Sequence, residues 1–454
     1  MATFSERVQG LLAQLTLEEK VGLLAGASMW LTVPVERLGI PAVKVTDGPN
    51  GARGAGPGLF AAGTRAACLP VGIALASSWN TELVEEVGQV LGEEAQSKTA
   101  VVLLAPTINI HRSPLNGRNF ECYSEDPYLA GRLAVAYING VQSKGVGTSV
   151  KHYAGNNSEF ERNTISSEIG ERALREIYLP AFEAAVKEAD SWTVMASYNK
   201  LNGTYTSEHP ELLTSILKDE WGWNGVVVSD WFATHSTAPA VNAGLDLEMP
   251  GPTQWRGQAL IDAVKNGEVT EETITESAGR VLNLIERAGA LDKPEMGEEK
   301  AIDLPEHRAV ARRAAAEGIV LLKNDGILPL DREKLKKIAV IGPNAKTAQI
   351  MGGGSARVNA HYAISPFDGL MNQVAELVEV GYEIGTTNHR YVPALLPSLL
   401  KPTEDSKENG FMVRYYNSPD LTGEVVFEKT YATAELIWIN DVGPGVDARN
   451  FSAR

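Results

Sequence analysis

The sequence predicts an α/β protein whose residues 1–290 form a (β/α)8-like TIM-type barrel. Short apolar runs typical of buried strands alternate with amphipathic helical patterns, and no hairpin signal separates them. Polar residues directly follow most of these runs. Alternation without hairpins implies parallel strands joined by right-handed crossovers. Seven candidate strands in roughly 250 residues suit a complete or slightly incomplete barrel of this type.

The candidate strands are runs of β-branched or small apolar residues bounded by turn signals. They cover residues 42–46, 72–76, 100–104, 147–150, 193–196, 225–228 and 244–247. A helix is predicted over 81–97, where Val84, Val87 and Leu91 share one face. A second helix is predicted over 170–188, with a kink at Pro180 because proline lacks the amide donor.

Downstream of the barrel, the sequence divides into three further parts. Residues 291–305 are charged and aperiodic and indicate a linker. Residues 306–385 indicate a second α/β unit, with helices at 309–316 and 366–374 and strands at 319–322 and 338–341. Residues 386–454 are β-rich, with antiparallel strands predicted at 411–416 and 424–429. These strands are too few for a stable sheet, so we expect the chain to end inside a domain.

Composition narrows the class of function. A net charge of −16 argues against nucleic acid and anionic membranes as partners. No apolar stretch reaches a membrane-spanning length, and the N-terminus has no apolar signal region. We therefore expect an intracellular location, with non-classical export left open. Two cysteines without zinc spacing predict neither a metal nor a cofactor, and the glycine run 352–354 does not match a nucleotide loop.

The most informative segment is the strand over 225–228, which ends in Ser229, Asp230 and Trp231. Ligands of α/β proteins bind at the carboxyl ends of the strands. A carboxylate beside an indole ring at such an end suits sugar chemistry, since the acid can attack an oxocarbenium-like centre and the ring can stack on a pyranose. The alternative is that Asp230 merely caps the next helix.

Other predicted strands end in polar residues on the same rim. They are Asp47, Asn109, His111, Arg112, Lys151, His152, Tyr198 and Glu248. Convergence of so many polar ends predicts a pocket rather than a set of caps. Lys151 and His152 could instead be a structural pair. Arg118 has a donor fork suited to vicinal hydroxyls, but could form a surface ion pair with Glu121 or Asp126.

The chain resembles the fungal-type β-glucosidases of glycoside hydrolase family 3. The resemblance rests on five motifs in order: VTDGPNG (45–51), GRNFECYSEDP (117–127), KHYAGN (151–156), MASYN (195–199) and VSDW (228–231). It implies that Asp230 is the catalytic nucleophile of a retaining exo-β-glucosidase. It further implies sugar contacts from a set of side chains around Asp230: Asp47, Arg118, Lys151, His152, Arg162, Tyr198 and Trp231.

The resemblance also implies a layout in which 306–385 begin an α/β sandwich and 386–454 open an inserted PA14-like module. The family's general acid/base glutamate lies downstream of that insertion, so we expect it beyond residue 454. The alternative is a truncated chain with weak or no activity. A lyase or aldolase using Lys151 is a third, weaker interpretation, because the neighbouring acids oppose its desolvation. The expected partner is a small β-glucoside or oligosaccharide, and homo-oligomerisation of a full-length protein stays open.

Overall fold

The computed structural model describes residues 4–56, 63–374, 376–387, 393–434, 436, 438 and 442–454. These residues form two compact units, one made of the described residues within 4–335 and 347–374 and the other of those within 336–346 and 376–454. The strands are β1 Val45–Asp47, β2 Val102–Leu104, β3 Gly147–Tyr153, β4 Ser166–Ser167, β5 Thr193–Ala196, β6 Lys200–Leu201, β7 Thr204–Tyr205, β8 Val226–Ser229, β9 Lys337–Ile341, β10 Glu379–Glu383, β11 Phe411–Tyr416, β12 Phe427–Tyr431 and β13 Ser452–Ala453. The α-helices are α1 Glu6–Leu12, α2 Leu17–Leu23, α3 Gly72–Ala76, α4 Thr81–Ser97, α5 Pro127–Gln142, α6 Glu171–Ala173, α7 Pro180–Lys187, α8 Ala238–Ala243, α9 Gln258–Lys265, α10 Glu271–Arg287, α11 Pro305–Glu317, α12 Pro343–Lys346 and α13 Pro366–Val374. Segments Leu174–Tyr178 and Glu211–Glu220 are π-helical.

The first unit is built on a curled parallel sheet with the strand order β1-β2-β3-β5-β8. Single-residue bridges continue it from Val228 to Leu247 and from Glu248 to Ala25. The three valines of β8 are buried, as expected for a strand covered on both faces. The carboxyl ends of the five strands therefore point to one edge of the sheet.

The outer helices follow their local sequence signals. Asn80 caps α4 by accepting from the Leu83 amide, and Asp126 caps α5, which has proline at its first position. The two helices cross closely, since a Cβ on Gly140 would lie 2.1 Å from the carbonyl oxygen of Glu85. Glycine at this crossing lets the backbones approach, and that contact seats both helices over the sheet.

The predicted helix over 170–188 is interrupted just before Pro180, as expected. A π-helical turn spans Leu174–Tyr178, and the Leu179 amide donates to the Leu174 carbonyl five residues back. Pro180 then takes the first position of α7, where no amide donor is required.

Three predicted strands are wrong. Residues 72–76 form helix α3, since the five-residue run Gly-Ile-Ala-Leu-Ala is too short for its pattern to distinguish strand from helix. In 244–247 only Leu247 pairs with the sheet, because Gly244 ends α8 in the left-handed region at φ +108°. Residues 319–322 are irregular and exposed. Residues 293–304 are irregular, as predicted for the linker.

The second unit contains two small sheets. Strands β9 and β10 pair in parallel, and β11 lies between β12 and β13 in antiparallel register. The predicted antiparallel pair is confirmed, with its second strand starting three residues later than expected. The predicted start of the β-rich part overlaps residues 388–392, which lie outside the described residues. No helix in the described part of the chain is long and apolar enough to cross a bilayer.

Candidate active site

Five sequence-predicted residues lie at the carboxyl edge of the curled sheet. Asp47 ends β1, Lys151 and His152 lie in β3, Tyr198 follows β5 and Asp230 follows β8. Each of the four charged or imidazole side chains is at least nine-tenths buried. Such burial of polar groups is costly unless they are paired, so their partners define the site.

Asp47 is held by two cations. The Lys151 ammonium donates to Asp47 Oδ1 at 3.0 Å. The Arg53 guanidinium lies 3.6 Å from Asp47 Oδ2. Because a buried ion pair needs further hydrogen bonds to offset its desolvation, this cluster suits a ligand that adds hydroxyl partners.

The orientation of His152 is fixed by Asn109. The Asn109 amide nitrogen donates to the His152 carbonyl at 2.8 Å, so its Oδ1 must accept from the backbone amide of His152 at 2.9 Å. The same Oδ1 lies 3.2 Å from His152 Nδ1, which therefore carries the proton of the neutral ring. Burial lowers the pKa of His152 well below its ordinary value. The ring thus presents Nε2 as an acceptor.

Asp230 faces this acceptor. Its Oδ1 accepts from the Trp231 amide at 2.7 Å, and its Oδ2 lies 3.5 Å from His152 Nε2. Oδ2 is buried and has no hydrogen-bond partner among the described residues. Burial raises the pKa of Asp230, and the positive charges of Arg118 and Lys151 oppose that rise. The result is a buried carboxylate with one free oxygen in a cationic field.

Arg118 does pair with Glu121, but not on the surface. Its Nε donates to Glu121 Oε1 at 2.6 Å, and the side chains are only 13% and 2% exposed. Arg118 Nη2 is buried and has no hydrogen-bond partner among the residues described. The predicted surface alternative is therefore wrong.

Arg162 and Tyr198 lie against each other beside the carboxylate. The guanidinium carbon of Arg162 is 4.7 Å from the centre of the Tyr198 ring, and Arg162 Nη1 donates to Glu159 at 2.5 Å. Burial and the Asp230 charge raise the pKa of Tyr198 well above its ordinary value. Tyr198 therefore stays a neutral hydroxyl.

Trp231 forms an aromatic wall with Trp30. The ring centres are 5.5 Å apart, and the Trp231 indole nitrogen donates to the Met29 carbonyl at 3.0 Å. The Arg53 guanidinium lies 5.4 Å from the centre of the Trp30 ring. The wall is thus tied to the cation that faces Asp47.

Two nearby acids have other roles. Glu248 accepts from the backbone amides of Gln254 and Trp255. Asp246 is fully buried and binds Lys218, Ser277 and Arg280. In the described residues, no group of three or more His, Cys, Asp or Glu side chains is arranged to hold a metal ion.

Sequence reasoning missed two members of the site. Arg53 and Trp30 lie in loops without periodicity, so nothing in their spacing set them apart. Arg53 follows Asp47 by six residues inside a glycine-rich stretch, and that proximity was the one usable signal.

Comparison with known proteins places this geometry in a family. Residues 10–284 match the Glycosyl hydrolase family 3 N terminal domain, and residues 319–441 match the Glycosyl hydrolase family 3 C-terminal domain. A beta-glucosidase of Rhizobium radiobacter is 52% identical over 447 residues, which are 98% of this chain and 53% of that protein. Beta-glucosidase B of Emericella nidulans is 49% identical over 393 residues, covering 86% of this chain and 46% of that protein.

A solved structure supports the same assignment. The beta-glucosidase of Kluyveromyces marxianus in complex with glucose superposes with a TM-score of 0.81 at 38% identity, covering 97% of this chain and 54% of that chain. The chain spans about half the length of the relatives it matches. With its N-terminal domain match covering more than half of the sequence, the chain belongs to glycosyl hydrolase family 3.

Proposed function

We propose that this chain carries the nucleophile and the sugar-binding groups of a retaining exo-β-glucosidase. Its substrates would be terminal non-reducing β-D-glucosyl residues of cello-oligosaccharides and of aryl or alkyl β-glucosides. The observation that carries the proposal is the free, buried Oδ2 of Asp230 at a strand end, facing the acceptor nitrogen of His152. The names of the relatives and the glucose in one solved neighbour support it.

In this proposal the free oxygen of Asp230 attacks the anomeric carbon and displaces the aglycone oxygen. A covalent glycosyl-enzyme forms, and water then releases the sugar with retained configuration. Burial raises the pKa of Asp230, and the positive charges of Arg118 and Lys151 oppose that rise and so favour the ionised nucleophile. A general acid gives a proton to the departing aglycone oxygen. In the second step the water oxygen bonds to the anomeric carbon, the bond to Asp230 breaks, and the water proton returns to the same acid/base group.

The remaining polar groups would hold the glucose ring. Asp47 accepts from hydroxyls, Lys151 and Arg118 donate to them, and His152 Nε2 accepts from one. We assign Tyr198 and Arg162 to the wall beside Asp230. Trp231 would border the next subsite, where an aromatic face suits a sugar or aryl aglycone.

The general acid/base is proposed to come from residues outside this sequence. The carboxylates near the site are already engaged, Glu121 by Arg118, Glu159 by Arg162 and Glu248 by two backbone amides. Loss of acid assistance costs roughly 10²–10⁴-fold in rate. We therefore expect slow turnover of activated aryl β-glucosides and negligible turnover of cellobiose. The proposed layout includes the barrel, the sandwich and the PA14-like start as predicted from the sequence.

The test is covalent labelling by 2,4-dinitrophenyl 2-deoxy-2-fluoro-β-D-glucoside, whose leaving group needs no acid. Intact mass should show one adduct, and peptide mapping should place it on Asp230. Asp230→Asn should not label. Asp219→Asn, at an exposed position, is a matched control that should label normally. An adduct on another residue, or equal labelling of Asp230→Asn, would refute the assignment. Efficient cellobiose hydrolysis would show that an acid within this chain was overlooked.

A further inference from the structure

The turn that carries Arg118 contains an unusual buried acid. Residues Asn119–Glu121 form one 3-10 turn directly after Arg118. Glu121 Oε1 accepts from Arg118 Nε at 2.6 Å, and Oε2 accepts from the Thr107 hydroxyl at 2.9 Å. Both oxygens are therefore engaged, and the side chain is 2% exposed.

This arrangement leaves one part of the guanidinium free. Glu121 takes the Nε edge of Arg118, while Nη2 remains buried without a hydrogen-bond partner in the described residues. Burial opposes ionisation of Glu121, but the Arg118 charge holds the pKa of Glu121 below its ordinary value. Glu121 is thus an anion that both orients the guanidinium and offsets its charge.

The same turn is held on its other side. A Cβ on Gly352 would lie 2.2 Å from the Phe120 ring, so the glycine-rich segment packs directly on the turn. The Asn119 carbonyl faces His111 Nε2 at 2.9 Å. A turn fixed on several sides can hold Arg118 within the narrow range that a sugar contact requires.

From these contacts we propose that Glu121 is a positioning residue that aims Arg118 Nη2 at the sugar and sets the net charge beside Asp230. This inference rests on the proposed function of the site. Glu121 does not touch the sugar itself. Its two effects, aim and charge, can be separated by two substitutions.

Glu121→Gln keeps the shape and removes the charge. The positive charge of Arg118 is then no longer offset, so the Asp230 carboxylate is stabilised. The acid limb, which is the fall in labelling rate at low pH, should therefore move to lower pH by about one unit. Glu121→Asp keeps the charge and shortens the reach, so the acid limb should stay in place. Both variants should bind the sugar more weakly by about tenfold. Glu121→Gln holds Arg118 through a weaker bond to a neutral acceptor, and Glu121→Asp misaligns the charged hydrogen bond.

The measurement is the rate of labelling by 2,4-dinitrophenyl 2-deoxy-2-fluoro-β-D-glucoside against reagent concentration and pH, which separates its binding constant from its limiting rate. Glu94→Gln, a buried acid on α4, is the matched control for loss of a buried charge and should leave the acid limb unchanged. Unchanged binding and an unchanged acid limb in Glu121→Gln would overturn the inference. Wild-type labelling at Asp230 in the same experiment would leave the proposed function standing.

Calorimetry with glucose measures binding independently of labelling. If wild type forms no adduct, unweakened glucose binding by Glu121→Gln overturns the inference, and a wild-type chain that binds no glucose contradicts both proposals.

Discussion

His307 joins helix α11 to helix α4 through two acids, and its removal should destabilise the first unit in a pH-dependent way. His307 Nδ1 lies 3.0 Å from Glu94 Oε1, and Nε2 lies 2.9 Å from Glu93 Oε2. The His307 side chain is 3% exposed and Glu94 is fully buried. With a carboxylate at each ring nitrogen, both nitrogens act as donors and the ring is charged. Burial opposes this charge, but the two carboxylates raise the pKa of His307 above its ordinary value of 6.5.

The expected loss of unfolding free energy comes mainly from the buried contact between His307 and Glu94. Breaking a buried ion pair by removing one partner costs about 3–5 kcal/mol, because the other charge is left uncompensated. Lys98 Nζ lies 3.8 Å from Glu94 Oε2 and still offsets part of that charge. The Glu93 contact is partly exposed and adds less than about 1 kcal/mol. For His307→Gln we therefore expect a loss near the lower limit, about 3 kcal/mol.

The sign of the pH dependence is fixed by the raised pKa. The stabilisation is complete below the unfolded-state pKa of about 6.5 and is lost as the pH rises through the folded-state pKa. Urea unfolding of wild type and His307→Gln from pH 5.5 to 9 should give a difference that is largest at low pH and shrinks as the pH increases. A difference that is constant over this range would show that His307 acts only through packing.

Three other substitutions test separate parts of the structure. Asp47→Ala should lower kcat/KM for an activated aryl β-glucoside by at least about tenfold, because the proposed contact with the sugar hydroxyls is lost. A change below twofold would mean that Asp47 serves only in the turn. Asp246→Ala should cost about 3–5 kcal/mol in urea unfolding, because Lys218 and Arg280 lose their shared buried partner, and near-wild-type stability would contradict the pairing. Gly352→Ala should displace the Phe120 ring and weaken glucose binding measured by calorimetry, with unfolding little affected. Unaltered glucose binding would mean that the Asn119–Glu121 turn accommodates the added methyl group without displacing Arg118.

The positions of the polar site residues could be predicted because they follow buried strands, and parallel strands bring their carboxyl ends together. Asp47, Asp230 and the pair Lys151 and His152 needed only that rule. Strand assignments failed where the run was short, as in 72–76, because five apolar residues fit both the two-residue period of a strand and the 3.6-residue period of a helix.

Burial and long-range partners could not be predicted. The spacing of Arg118 and Glu121 showed that they could pair, but not that the pair is enclosed. His307 meets Glu93 and Glu94 more than 200 residues away in sequence, and no local pattern encodes that contact. The pattern of residues 411–416 likewise does not reveal that Tyr415 is buried among Phe427, Trp438 and Phe451.

The contacts of the adjacent residues Lys151 and His152 depend on the curvature of the sheet. Lys151 contacts Asp47 on the first strand of the sheet, and His152 faces Asp230 on the last. In a flat sheet of this order those outer strands would be about 19 Å apart, at about 4.8 Å per strand. Lys151 and His152 lie on the central strand, two strands from each edge, and the curl of the sheet turns both outer strand ends toward them. The distance between Asp47 and Asp230 across the proposed sugar site is therefore set by the curvature of the whole sheet. A change in packing far from the rim that flattens the sheet would also move these two acids apart.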